Sequence, residues 1–382
     1  MDNIKNPFIT NGYAIPEYFC AREKESHDFV NLISSGNNLT IISPRQMGKT
    51  AFILHCFNKP EMSNQHNVFL IDIYATKNFN EFIYKFAKGV FESISHNPEW
   101  IEIYFSIVTS LQHPLHYNKQ PKGIIFNIGV GEIREPLRTL EEVFYFFEAM
   151  DKPCVVALDE FQTITGYPEN DAEQILHSLI QRCKNTTFIY SGSQGKIMND
   201  LFLTPNKPFF QSTILLNFNT INKQKYIEFV LNHFQSRGKN IANEAIEYVY
   251  DLFEGHTWFM QTIFNELYAS TERGEHCSMH LIKETIKNKI DYFEPLYQCI
   301  MVLLTERQTE LLCAIARESK AKLITSGEFI RKHALASSSS VQAAAKQLME
   351  KDIITLHDKT YQISDRFFSF WLAKNYGPGF TI

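Results

Sequence analysis

Apolar residues crowd into five short runs over the first 220 positions: Leu39 to Ser43, Val68 to Tyr74, Cys154 to Asp159, Thr187 to Ser191 and Ile214 to Phe218. The first four are nearly continuous, the pattern of strands buried on both faces. Helical spacing fills the stretches between them, so the chain is expected to begin with an α/β core, a parallel sheet layered by helices. About 80 residues separate the second run from the third, more than one crossover helix requires. An insertion over about 77–138 is expected there. Within it Phe79, Phe82, Ile83, Phe86 and Val90 recur at helical spacing between Asn78 and His96 and read as a core-facing stripe. Gly123 to Gly131 alternates like a strand.

Beyond Asn222 the strand signals fade. Helical periodicity runs through Tyr226 to Gln235, Ala242 to Phe253, Phe259 to Tyr268 and Leu281 to Tyr292, which predicts a small helical domain over 221–297. The last stretch, 298–382, changes order. Helices near Gln308 to Ala316, Ser326 to Lys332 and Ser340 to Glu350 precede two β-like pieces, Ile353 to His357 and Thr360 to Ile363. Three helices and a terminal hairpin form the order of a winged helix. The serines Ser337 to Ser340 read as a polar turn and helix cap.

Composition narrows the class. The 382 residues are 44% hydrophobic and 21% charged, which excludes wholesale disorder and fibrous repeats. No apolar run reaches the roughly 18 to 20 residues that span a bilayer, and Met1 to Thr10 has no signal-peptide core, so a soluble cytoplasmic protein with no membrane partner is expected. Seven scattered cysteines without a Cys-x-x-Cys pair argue against a zinc site or disulfide framework. A net charge of -5 exerts no chain-wide pull on nucleic acid.

The chemistry concentrates after the first run. Ser43-Pro44-Arg45-Gln46-Met47-Gly48 makes a tight turn, and Lys49-Thr50-Ala51 opens a helix. Backbone N–H groups at a helix N-terminus point at an anion and the helix dipole favours it. A turn of this kind, strand before and helix after, is a phosphate-binding loop, with Lys49 reaching the β- and γ-phosphates of a nucleotide and the Thr50 hydroxyl a ligand for Mg2+. The pattern departs from G-x-x-x-x-G-K-[ST] at Ser43, where a left-handed conformation would resist a side chain. Cys154 to Asp159 is an apolar strand ending in Asp159-Glu160. Lying beside the phosphate loop, it would place Asp159 on the metal and let Glu160 polarise the attacking water. Thr187 to Ser193 ends in small polar groups, from which Ser191 or Ser193 would contact water or the γ-phosphate, unless Ser-Gly-Ser is only a turn.

In order, these motifs resemble the AAA-like, STAND-type P-loop ATPases known as archaeal-type ATPases. Tyr18-Phe-Cys-Ala-Arg22-Glu23 resembles the family's Phe-x-Gly-Arg-Glu motif, and Ser43 to Thr50 its Gly-Pro-Arg-Arg-x-Gly-Lys-Thr loop. Asp159-Glu160-Phe161-Gln162 resembles its Walker B extension, Ser191-Gly192-Ser193 its sensor strand, Gly255-His256-Thr257 its lid turn, and Asp365 to Trp371 the segment closing its winged helix. The resemblance implies an AAA-like P-loop sheet followed by a helical lid and a winged helix, with ATP and Mg2+ as cofactors. It implies that Tyr18, Phe19 and Arg22 line the adenine side, that Arg45 touches phosphate or caps the loop, and that nucleotide lies between core and lid. It also implies that an arginine finger can come from a neighbouring subunit; Arg182 is one guess for such a residue.

From Glu306 to Arg366 the chain has ten Lys/Arg and eight Asp/Glu, a net of +2. The presumed recognition helix offers Gln342 and Lys346 among alanines, a thin display for base readout. An interaction role, with a protein partner or self-association through the lid and winged helix, is favoured over DNA binding. Three functions follow: a Mg2+-dependent ATPase coupling nucleotide state to domain rearrangement, with Glu160, Lys49 and Ser193 catalytic and Thr50 and Asp159 on the metal; a nucleotide-sensing scaffold without hydrolysis; or an ATP-regulated, DNA-binding transcription regulator.

Overall fold

The structure is a computed structural model that describes residues 6–13, 15–111, 135–357 and 359–377. Two compact units result, one of residues 11–220 and one of residues 221–382 together with the first ten.

The five apolar runs form one sheet: β1 (Leu39–Ile42), β2 (Asn67–Asp72), β3 (Cys154–Asp159), β4 (Thr186–Gly192) and β5 (Ile214–Asn217). Their spatial order is β2-β3-β4-β1-β5, and every pairing is parallel. Alternation along β3 serves two cores at once. Cys154, Val156 and Leu158 face a layer with Phe82, Phe86, Phe144 and Phe147, whereas Val155 and Ala157 face Phe29, Phe52 and Ile53. All six β3 residues are buried, the reason that the run carries no polar position before Asp159.

The aromatic stripe of the insertion lies on the helix Phe79–Ile94, with Phe79, Phe82, Ile83, Phe86 and Val90 all buried. Asn78 caps it by accepting from the Glu81 N–H. Helices Pro98–Ile107 and Pro136–Ala149 complete the described part of the insertion. The strand expected at Gly123 to Gly131 lies outside the described residues.

In the second unit, helices Lys223–Gln235, Asn243–Leu252, Thr257–Ser270 and Met279–Val302 follow the predicted periodicity. The last runs ten residues beyond the expected Tyr292, because Pro295 sits inside it without ending it. A pair of two-residue strands, β6 (Asn240–Ile241) and β7 (His276–Cys277), also forms, too short to leave a period in the sequence. Phe8, fully buried, packs among Phe229, Phe234, Phe264 and Tyr268. Asn6 donates to the Asn265 carbonyl, and the Asn265 amide donates to the Phe8 carbonyl.

Helices Glu306–Glu318, Gly327–Lys332 and Ser338–Glu350 precede β9 (Ile354–His357) and β10 (Thr360–Ile363), with β8 (Ala321–Lys322) pairing on the other side of β10. Thr305 and Gln308 close a capping box on the first helix, and the Ser337 hydroxyl caps the third. This is the winged-helix order read from the sequence.

Candidate functional site

The carboxyl ends of β1, β3 and β4 bring the predicted chemistry together. The turn after β1 carries its left-handed residues at Gln46 (φ 66°) and Gly48 (φ 86°), not at Ser43. The missing first glycine therefore imposes no backbone strain, which corrects the expectation that a side chain at 43 resists the loop. Ser43 is buried, and its N–H donates to the Gly192 carbonyl at 3.3 Å.

Gly48 is the cap from which the helix Lys49–Phe57 starts. The Lys49 ammonium is buried and donates to the carbonyls of Ser43 (2.9 Å) and Pro44 (3.2 Å). Burial pushes its pKa down, against the opposing pull of Glu160 and Asp159. Met47 turns into the core beside Phe52 rather than toward the loop's open side. Ala51, half-buried, follows Thr50 in the helix. Arg45 is exposed, with its guanidinium 5.1 Å from the ring centre of Tyr74.

The strand that carries Asp159 is separated from β1 by β4. The reach is nonetheless made: the Thr50 hydroxyl donates to Asp159 Oδ2 at 2.5 Å. Ser191, on the intervening strand, donates to Asp159 Oδ1. Burial pushes the Asp159 carboxyl up, while these two hydroxyls pull it down. Of the two serines weighed, Ser191 serves Asp159 and Ser193 serves Glu160, donating to Glu160 Oε2 at 2.7 Å. Glu160 itself adopts φ 57°, a left-handed conformation uncommon outside glycine.

Gln162, which closes the Asp159-Glu160-Phe161-Gln162 motif but had no role assigned from the sequence, joins the site here. Gln162 Nε2 donates to the same Glu160 oxygen at 2.5 Å and reaches Ser193 Oγ at 3.3 Å. Its place in that motif, two residues beyond Glu160, acquires meaning through the short helix Phe161–Gly166 that folds it back.

The N-terminal residues divide. Phe19 stacks on His55 of the loop helix, centroids 4.0 Å apart and planes within 10°. Burial and Lys59 push His55 down to about 4, so both rings are uncharged at neutral pH. Tyr18 is half-buried at the end of the short helix Pro16–Tyr18. Arg22 is drawn into the fold: buried, it donates to Glu25 and to the Asn219 carbonyl and lies 3.7 Å over the Phe218 ring. Arg182 is exposed and donates to Ser178.

The donor set suits magnesium. A hydroxyl and a carboxylate 2.5 Å apart at a helix N-terminus are hard oxygen ligands, and Mg2+ is commonly held by one or two carboxylates plus substrate phosphates. Among the described residues no cluster of three His, Cys, Asp or Glu is present to hold a metal by protein groups alone. No helix among them is long and apolar enough to cross a membrane.

Comparison with known proteins bears on the fold. Residues 295–374 match the family described as a probable winged helix domain. A Walker-type ATPase of Pyrococcus abyssi superposes with a TM-score of 0.67 at 16% identity, over 96% of this chain and 99% of that one. The ORC2 protein of Aeropyrum pernix, in its ADPNP–ADP complexes, superposes with a TM-score of 0.61 at 12% identity, over 98% of each chain. Its ADP form gives 0.54 at 11% identity, over 94% and 93%. At such identities the likeness is one of fold. No curated protein matches the sequence. The chain thus has the fold of an AAA-like P-loop ATPase with a C-terminal winged helix.

Proposed function

We propose that the protein binds ATP and hydrolyses it slowly as a Mg2+-dependent switch. The observation that carries this reading is the convergence of Lys49, Thr50, Asp159 and Glu160 at the carboxyl end of the sheet, where Thr50 and Asp159, 109 positions apart in the chain, are joined at 2.5 Å. Lys49, now bonded to two loop carbonyls, exchanges them for phosphate oxygens. The N–H groups around Gly48 complete the cradle. The Thr50 hydroxyl and the Asp159 carboxylate are the residues to hold the magnesium ion, which supplies charge neutralisation to the phosphates when bound. Glu160 accepts a proton from the water that attacks the γ-phosphorus. The new P–O bond forms as the bond to the bridging oxygen breaks and ADP leaves. The Phe19–His55 stack, Tyr18 and the loop residues Ser43 to Ala51 are proposed to shape the rest of the nucleotide site.

Coupling of nucleotide state to domain rearrangement is part of the same proposal, with a protein partner as the recipient. Tyr292, Leu296, Val302 and Leu303 support that partner: they stand 72%, 53%, 84% and 75% exposed at helical spacing along the end of Met279–Val302.

Calorimetric titration with ATP and Mg2+, paired with phosphate release from wild type, Lys49→Ala and Glu160→Gln, tests the reading. Expected are binding by wild type and Glu160→Gln, turnover lowered at least 100-fold in Glu160→Gln, and neither in Lys49→Ala. Binding without release in wild type favours a nucleotide-sensing scaffold. Equal release in all three proteins overturns the proposal.

A further inference from the structure

We propose that Gln162 is a positioning residue for Glu160: its amide, with the Ser193 hydroxyl, fixes one carboxylate oxygen so that the other faces the attacking water. The inference rests on the ATPase reading above.

Both donors fall on the same atom. Ser193 Oγ lies 2.7 Å and Gln162 Nε2 2.5 Å from Glu160 Oε2, and Gln162 also reaches Ser193 at 3.3 Å. The three side chains close a ring around one oxygen, while Oε1 of Glu160 receives no hydrogen bond among the described residues. A base whose orientation is set by a third group is a recurrent arrangement in catalysis, because the free lone pairs then point in one direction.

Two further observations separate this role from support of the fold. Gln162 is only 5% exposed, yet its own carbonyl, Oε1, is buried without a partner. A buried amide with an orphaned acceptor costs stability that an apolar side chain of the same shape would not. The fold also makes room for it. A Cβ on Gly192 would lie 2.5 Å from Gln162 Oε1, so the strand that ends in the sensor residues accepts the amide only because it carries glycine there. A side chain that the fold accommodates at a cost, and whose donor meets Glu160, is accounted for by Glu160.

The test is a set of four proteins: wild type, Gln162→Leu, Glu160→Gln and the double variant, each assayed for ATP turnover and melting temperature. Gln162→Leu should lower kcat about tenfold, leave KM for ATP within twofold, and leave the melting temperature unchanged or higher. In the Glu160→Gln background the same change should have no further effect on the residual rate, since the group to be positioned is gone. Ser193→Ala, which removes the other donor, should repeat the kcat loss and serves if Gln162→Leu does not fold. The inference is overturned if Gln162→Leu and Ser193→Ala leave kcat unchanged or raise it, if the loss is as large in the Glu160→Gln background, or if kcat falls only in step with the melting temperature. A Glu160→Gln protein as fast as wild type sinks the ATPase reading itself. A slow Glu160→Gln with a fast Gln162→Leu sinks only the role of Gln162.

Discussion

Thr50, in the first turn of the helix that follows β1, meets Asp159 at the end of β3 at 2.5 Å although β4 lies between β1 and β3 in the sheet. Ser191, on β4, takes the other Asp159 oxygen. Two hydroxyls do not offset the burial of the carboxylate, whose pKa is raised. An acid with a raised folded-state pKa stabilises the fold below its ordinary range near 3.8, and that stability is lost as pH rises through the folded value. At neutral pH the Asp159 charge is therefore a net cost. Asp159→Asn should melt higher than wild type at pH 7 without nucleotide or Mg2+, and the gap should close as pH falls toward 4. Scanning fluorimetry from pH 4 to 7.5 measures it, and a wild type more stable at pH 7 refutes it.

Gly192 ends β4 against Gln162 and Met198. An added Cβ would sit 2.5 Å from both the Gln162 carbonyl and the Met198 sulfur. Gly192→Ala should cost about 1–3 kcal/mol by overpacking. Gly195→Ala, whose Cβ would have its nearest neighbour at 3.6 Å, is the control expected to cost far less. Urea denaturation of the two variants decides the matter.

Phe8 is a side chain of the N-terminal segment enclosed by four aromatic rings of the helical unit. Phe8→Ala should destabilise that unit by about 3–5 kcal/mol. Hydrogen exchange should quicken in Lys223–Gln235 and Thr257–Ser270 and stay unchanged in β3 and β4.

The third winged-helix helix exposes Gln342, Ala343, Lys346 and Gln347, and Lys346 already lies 3.8 Å from Glu350. So little positive charge predicts no retention of duplex DNA in a gel shift at 100 mM salt. Tight binding with a steep salt slope would place DNA among the partners instead.

Much of this was legible from the chain. Short apolar runs mark strands, so the five strands of the sheet fell where the runs lie, although β5 at the sheet's edge is largely exposed, and Gly48-Lys49-Thr50 sat at the expected strand-to-helix junction. The winged helix was readable because three periodic helices, one of them preceded by the Ser337 cap, run into two β-like pieces. Strand order was not, since nothing local in β4 says that it inserts between β1 and β3. The helix Met279–Val302 continues through Pro295, a residue that usually ends a helix, so its full length has no local signal. The roles of Gln162 and Phe8 were not readable for one reason: each derives from a partner fixed only by tertiary structure.

The tie between Phe8 and Asn265 spans 257 residues. At roughly 5–20 residues per second of synthesis, Phe8 waits some ten seconds or longer before its aromatic socket exists. During that interval the ribosome has already released a complete α/β sheet, whose own hydrophobic layers need nothing from Phe8. Phe8 is thus made well before the helices that enclose it, and until they arrive its ring is an apolar group that a chaperone can grasp.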